Sequence, residues 1–155
     1  MDIEIFWDAA NHRGDIALLN GDLATDHDIK TAILISLFSD RRAEDDDPLP
    51  DASSSKRGWW GDALGGAGEG RRIGSRLWLL AREKQLAEVV AKAREYGQEA
   101  LLWLVQDGVV DSVQVDAQIV RQGWLGLGVT VTRPKKAPAK YRFDFAWSNI
   151  NQGRM

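Results

Sequence analysis

The chain opens with an alternation of apolar and polar residues, which is the pattern of a strand with one buried face. Residues 3 to 7 alternate in this way, residues 11 to 15 have the composition of a turn, and residues 16 to 19 are again mainly apolar. This order predicts an N-terminal β-hairpin.

The next segment has the three- and four-residue spacing of a helix. The positions on this face are Ile29, Ala32, Ile33, Ser36 and Leu37. The side chain of Thr25 or Asp26 can accept hydrogen bonds from the first free N–H groups, so either is predicted to cap the helix. The helix should end near Asp40.

A second helical pattern begins after a long polar segment. Residues 77 to 80 are predicted to open helical structure, and apolar residues then mark one helix face from residue 86 to residue 104. Gly97 lies within this pattern, where glycine costs about 1 kcal/mol relative to alanine. Its presence predicts close packing, a kink or a break between two helices. Gln106-Asp107-Gly108 predicts the end of the helix.

Three alternating segments complete the chain, at residues 113 to 119, 125 to 131 and 141 to 147. They predict a three-stranded antiparallel meander with one apolar face packed on the helices. The connection at residues 134–140 is basic, and the residues after Trp147 are expected to fray. The predicted fold class is therefore α+β: hairpin, helix, long loop, central helix or helix pair, and C-terminal meander.

The long polar segment covers residues 41–73 and is rich in charge, proline, serine and glycine. Loops of this length in compact domains are usually functional or disordered. The hairpin and first helix are too small to form a core without the C-terminal half. We therefore predict one domain over residues 1–155 with an inserted loop at about 41–73.

Composition narrows the function classes. The 155 residues carry a net charge of −3 and no cysteine, which excludes a disulfide framework, a thiol nucleophile and a thiolate zinc site. This charge provides no general attraction for nucleic acid or an anionic membrane. No segment approaches the ~20 apolar residues that span a bilayer, and no secretory signal is evident. We expect neither a nucleic-acid nor a membrane partner.

The acidic run at residues 44–47, with Asp51, lacks the alternating ligands and central glycine of a calcium loop, so a solvated acidic loop is favoured. Ion pairs that tie the loop down are a reasonable role for the flanking arginines at positions 41, 42, 71, 72 and 76. His12 and His27 have no second ligand at metal-binding spacing, and turn and cap roles are favoured. No metal or cofactor is predicted.

Signals for catalysis are weak. The chain contains neither the Gly-x-Ser-x-Gly elbow of a serine hydrolase nor a Gly-x-x-x-x-Gly-Lys-Ser/Thr phosphate loop. A glycosidase needs two carboxylates beside the cleaved bond, and Asp62, Glu69 and Glu83 lie near tryptophans that could stack on sugars. A tail-associated, lysozyme-like cell-wall glycosidase therefore stays open as the alternative function, although an acidic chain supplies such candidates by chance.

Seven tryptophans are unusually many for this length and favour assembly, because tryptophan is enriched in interfaces. Trp7, Trp103 and Trp147 fit the predicted core faces. The remaining four, Trp59, Trp60, Trp78 and Trp124, are candidates for other roles. Trp59 and Trp60 lie together in a glycine-bracketed loop, where partner contact and an intramolecular plug are equally favoured.

Several motifs together resemble a known family. They are SLFSDRRA at 36–43, DDPLP at 46–50, RGWWGD at 57–62, GSRLWLL at 74–80, REK at 82–84 and EALLWL at 99–104. In this order, and over nearly the whole chain, they resemble the Mu-like phage baseplate family. That family is in turn similar to the wedge proteins of contractile tails that initiate the sheath, some of which are labelled lysozyme-like.

The resemblance implies a structural role without catalysis. It implies several copies in the virion tail, bound to other wedge and hub proteins and to the first sheath ring, after assembly in the host cytoplasm. The wedge family carries an acidic-proline-arginine signature after its central helix, whereas this chain has Gln-Asp-Gly-Val-Val at 106–110. We therefore expect the wedge contact elsewhere, at Trp59, Trp60, Arg76 and Trp78, with Arg57 beside them.

Overall fold

Six short strands form the N-terminal part of the protein. The structure, a computed structural model, describes residues 2–26, 28–50, 54–64, 71–83 and 86–147. The strands are β1 (Asp2–Ile3), β2 (Ile5–Asp8), β3 (Arg13–Ile16), β4 (Leu18–Leu19), β5 (Asp22–Leu23) and β6 (Thr25–Asp26). They pair antiparallel as β1 with β6, β2 with β3, and β4 with β5.

The predicted N-terminal hairpin is confirmed as β2–β3, with a shorter turn. The Asp8 carboxylate accepts hydrogen bonds from the backbone N–H groups of Ala10 (3.1 Å) and Asn11 (3.2 Å), which closes the turn before Arg13. The side-chain amide of Asn11 also donates to Asp8 (2.6 Å), and this bond, followed by the backbone bonds, lowers the pKa of Asp8. Residues 13 to 15, predicted in the turn, therefore belong to β3.

Helix α1 covers Lys30–Phe38, and its end near Asp40 is confirmed. The predicted cap at Thr25 or Asp26 is wrong. Those residues pair with β1 as strand β6, and the helix begins after Ile29 without a side-chain cap. Pairing with β1 therefore outweighs the local preference of these residues for a helix cap.

The inserted loop returns to its starting point. The Arg41 N–H donates to the Ser75 carbonyl (3.0 Å), and the Ser75 N–H donates to the Ser39 carbonyl (2.9 Å). The Ser75 hydroxyl, which is buried, donates to the Leu37 carbonyl. A short 3-10 helix, Trp60–Ala63, lies within the loop. A second 3-10 helix, Arg76–Arg82, follows it and contains residues 77 to 80, where helical structure was predicted to begin.

Helix α2 runs unbroken over Leu86–Gln106, so its predicted end is confirmed. Gly97 serves close packing: a Cβ there would lie 2.8 Å from Cγ1 of Val115. No helix in the described residues is long and apolar enough to cross a membrane.

The predicted meander is confirmed as β7 (Ser112–Arg121), β8 (Trp124–Thr132) and β9 (Ala139–Ala146), in that order across the sheet. The apolar face of β8 is buried against the helices, and its residues are Leu125, Leu127, Val129 and Val131. The sheet and helices thus form one hydrophobic core, as the α+β prediction requires. The residues after Trp147, expected to fray, lie outside the described residues.

Candidate partner-binding site

The tryptophan pair lies on the surface at the start of the first 3-10 helix. Trp59 is 51% exposed and Trp60 73% exposed, with ring centroids 5.5 Å apart. Leu64, at the end of the same turn, is 74% exposed. These exposures argue against the intramolecular plug and leave three exposed apolar side chains within residues 59–64, which we call the tryptophan patch.

The backbone before the patch turns sharply. Arg57 and Gly58 both have positive φ (54° and 99°), a conformation that favours glycine. A Cβ on Gly58 would lie 2.7 Å from Cβ of Arg42, so the chain passes too close to Arg42 for any side chain. Trp59 and Trp60 follow this turn directly.

Trp78, predicted as a partner-binding residue, does not lie in the exposed site. Its ring is 2% exposed, and its Nε1–H donates to the Arg41 carbonyl (2.8 Å). The Arg57 guanidinium lies 4.3 Å from the ring centroid and donates to Asp40 (3.0 Å). Arg57 and Trp78 therefore make internal contacts that join the two ends of the loop.

Arg76 is also an internal residue. It makes two hydrogen bonds to Asp47 (3.1 and 3.0 Å) and two to Glu99 (3.0 and 3.2 Å), and it lies 4.7 Å from the Tyr96 ring centroid. Its side chain is only 14% exposed. Burial disfavours its charge, yet the bonds to Glu99 and Asp47 hold the pKa of Arg76 above its ordinary value. Arg76 thus joins the acidic segment to α2, and most of its side chain is enclosed by these contacts.

The acidic segment forms several ion pairs. Glu44 pairs with Arg72 (3.0 Å) and Asp45 pairs with Lys56, a bond that lowers the pKa of Asp45. With the Asp47–Arg76 pair, these contacts confirm that ion pairs tie the loop down. Asp51 lies outside the described residues, among which no three His, Asp or Glu side chains are grouped to hold a metal.

The two glycosidase candidates that the structure describes lie apart. Asp62 lines a groove of about 970 Å³ between the N-terminal strands and the two helices, and accepts a hydrogen bond from the Ile73 N–H (3.3 Å). Glu83 lines a different cavity and accepts from Lys92 (2.8 Å), a bond that raises the pKa of Lys92. Glu69 lies outside the described residues. Asp62 and Glu83 therefore do not flank a common cleft.

The other tryptophans pack largely as predicted. Trp147 is buried in the core, and Trp7 and Trp103 pack against the core. The Trp7 Nε1–H donates to the Asp144 carbonyl (2.9 Å), and the Trp103 Nε1–H donates to the Ser36 hydroxyl (3.0 Å). Trp124 is half-buried, with the Arg121 guanidinium 4.0 Å from its ring centroid.

His12 has φ 52° in the β2–β3 turn, which confirms its turn role, and its ring lies 5.6 Å from that of Trp124. His27 lies outside the described residues.

Two surface features were not predicted. The side-chain amide of Gln98 on α2 covers part of the outer edge of β7, a tertiary contact that no local pattern signals. A second hairpin, β4–β5, carries exposed leucines around Asn20-Gly21. That dipeptide is a strong hairpin signal, so this element could have been found from the sequence.

Comparison with known proteins supplies the family context. Residues 29–138 match the family described as "Phage protein GP46". The chain is 45% identical to "Baseplate protein gp46" of Escherichia phage Mu over 149 residues, covering 96% of this chain and 99% of that protein. It is 38% identical to "Mu-like prophage FluMu protein gp46" of Haemophilus influenzae over 147 residues, covering 95% and 98%.

Proposed function

The chain belongs to the Mu-like phage baseplate protein family, and from this premise we propose that it is a non-catalytic wedge subunit of a contractile tail. In this role it binds neighbouring wedge and hub subunits in several copies and helps the first sheath ring to form. The observation that carries the proposal is the tryptophan patch, which exposes three large apolar side chains to solvent.

The patch has the properties of a binding hot spot. Tryptophan is the residue type most enriched where interfaces gain their free energy. Arg57 stacks on the buried Trp78, and Arg76 joins Asp47 to α2, so internal contacts already hold the described residues next to the exposed rings. A preorganised loop loses little conformational freedom on binding, so more of the contact energy appears as affinity.

The sheet edges support the proposed role in sheath formation. An unpaired edge can add a strand from another chain. The side chain of Gln98, on α2, occupies one part of the β7 edge. It donates to the Val113 carbonyl (2.8 Å) and accepts from the Val115 N–H (3.1 Å), as a neighbouring strand would. Because backbone groups alternate along an antiparallel strand, the N–H and C=O groups of Ala117 and Ile119 face the same outer edge of the sheet as those of Val113 and Val115. No cap of this kind covers them among the described residues, so we assign strand addition to this half of β7.

Co-purification with the tail proteins encoded beside this chain tests the wedge contact. We expect wild type to form a stable complex and the double variant Trp59→Ala/Trp60→Ala to lose it while melting at the same temperature. Leu86→Ala is the matched control, because Leu86 is also apolar and 56% exposed but lies at the start of α2. A full complex from the double variant would refute the tryptophan patch as the contact.

A proline substitution tests strand addition separately. Proline is tolerated on a strand edge where its missing N–H would face solvent, yet it cannot donate to an added strand. We expect Ile119→Pro to fold and join the baseplate but to reduce sheath polymerisation on it, whereas Ile119→Val, which keeps the N–H, behaves as wild type. Normal sheath growth on Ile119→Pro baseplates would exclude this half of β7 as the accepting edge.

A further inference from the structure

The β4–β5 hairpin ends in a tight two-residue turn with leucines on both sides. Asn20 (φ 52°) and Gly21 (φ 82°) form the turn, and both have the left-handed conformation of the type I′ hairpin. Leu18 pairs with Leu23 across the strands, and Leu19 pairs with Asp22. We call these six residues, 18 to 23, the leucine tip.

The tip has exposed leucines on both faces. Cross-strand partners point to one face of a hairpin and their neighbours to the other, so Leu18 and Leu23 lie on one face, and Leu19 lies with Asp22 on the opposite face. Leu18 is 72% exposed, Leu19 65% and Leu23 45%, and none belongs to the hydrophobic core. A ribbon with exposed leucines on both faces is buried best by insertion into a cleft, since a flat surface would cover only one face.

The charge of the N-terminal strands is one-sided. Residues 1–26 contain six of the 23 acidic residues but only one of the 20 basic residues, Arg13. Arg13 is itself paired with Asp15 (3.2 Å). The other 129 residues contain 17 acidic and 19 basic residues, so the negative charge of the protein is concentrated in the N-terminal strands. A complementary surface would be positively charged.

We propose that the leucine tip inserts into an apolar cleft, rimmed by lysine and arginine, on a neighbouring baseplate subunit. This inference rests on the proposed baseplate role but uses a different surface from the tryptophan patch. Two separate contacts on one subunit make the second binding event intramolecular, which strengthens attachment without enlarging either site.

The test compares three variants in the baseplate complex formed by co-expression with the tail proteins encoded beside this chain. Leu18→Ser/Leu19→Ser removes apolar surface from both faces, Asp22→Lys reverses a charge at the tip, and Leu86→Ser is the control at an exposed leucine elsewhere. We expect the double variant to bind about tenfold or more weakly, Asp22→Lys to bind more weakly chiefly at low salt, and the control to bind as wild type. Melting temperatures should be unchanged.

A photoreactive amino acid in place of Leu19 identifies the occupant. A crosslink to a baseplate subunit at an apolar site flanked by lysine or arginine supports the proposal. A crosslink to a second copy of this chain or to an acidic surface overturns it, as does wild-type binding by the double serine variant. If the leucine variants bind normally while Trp59→Ala/Trp60→Ala does not, the leucine tip is refuted and the proposed function stands. A wild-type chain that joins no baseplate subunit refutes both.

Discussion

The indole ring of Trp59 lies directly over Gly61. A Cβ on Gly61 would be 2.1 Å from Cη2 of the ring, far inside contact distance. Glycine at this position therefore fixes where the exposed ring rests, although Gly61 itself is buried. The orientation of the tryptophan patch depends on a residue that a partner need not touch.

Replacing Gly61 with alanine should move the ring and leave the fold intact. Gly61 does not have positive φ, and the obstructing atoms are the far end of one side chain, so the ring can swing aside. We expect a change in unfolding free energy within ~0.5 kcal/mol, altered near-ultraviolet circular dichroism from the Trp59–Trp60 pair, and weaker baseplate binding. If binding is unchanged although the circular dichroism shows a displaced ring, then the affinity for the partner does not depend on the position of the Trp59 ring.

Replacing Arg76 should destabilise the protein strongly. Arg76→Met keeps the length of the side chain but leaves Asp47 (11% exposed) and Glu99 (30% exposed) without their main cation. Removing one member of a largely buried ion-pair network costs about 3–5 kcal/mol. Arg71→Met is the control, because the side chain of Arg71 is 58% exposed beside Asp107 and such pairs contribute about 0–1 kcal/mol. Equal losses in urea unfolding would indicate that solvent screens the Arg76 network.

The elements that could be predicted from sequence have local signals. The apolar spacing of α2 and the alternation of β7–β9 are each set by residues a few positions apart, so their existence and order followed from periodicity. The tryptophan pair stood out for the same reason, because its glycine-rich neighbours are visible in the sequence.

The errors arose where distant contacts override local preference. Thr25 has good capping chemistry, but pairing with Ile3 makes it part of a strand. Trp78 looks like an exposed anchor beside Arg76 until the 3-10 helix turns it into the core, where the Arg41 carbonyl accepts its N–H. Such burial depends on partners far along the chain, which spacing does not reveal.

Gly97→Ala should destabilise the protein, although the same change stabilises an ordinary helix by about 1 kcal/mol. The new Cβ would lie 2.8 Å from Cγ1 of Val115, whose branched side chain cannot easily rotate away. Overpacking of this kind costs about 1–3 kcal/mol. Adding Val115→Ala should relieve the clash, so the double variant should lose less stability than the two single changes added together. Simple additivity in the double-mutant cycle would contradict the clash.

Gln98→Glu should weaken the covered end of the β7 edge. The carboxylate can still accept from the Val115 N–H, but it cannot donate to the Val113 carbonyl, which is left without its partner. An unsatisfied buried acceptor costs about 1–3 kcal/mol. We expect faster hydrogen exchange at Val115 and lower stability. Gln114→Glu adds the same charge at an exposed position on β7 and should change neither quantity. If both variants behave alike, charge and not the lost bond is responsible.

Tyr96 should make the protein lose stability at alkaline pH. Burial raises the pKa of its phenol above the ordinary value of 10.0, partly offset by the positive charge of Arg76. Above pH 10.0 the unfolded chain releases this proton while the folded chain retains it, so stability falls as pH rises toward the folded pKa.

The Tyr141→Phe variant leaves Tyr96 as the single tyrosine of the chain, which allows its tyrosinate absorbance to be followed alone. The absorbance should appear above pH 10.0 and shift to still higher pH when Arg76→Met is added. A midpoint at or below 10.0 would show that water reaches the phenol and that the Arg76–Tyr96 contact is open to solvent.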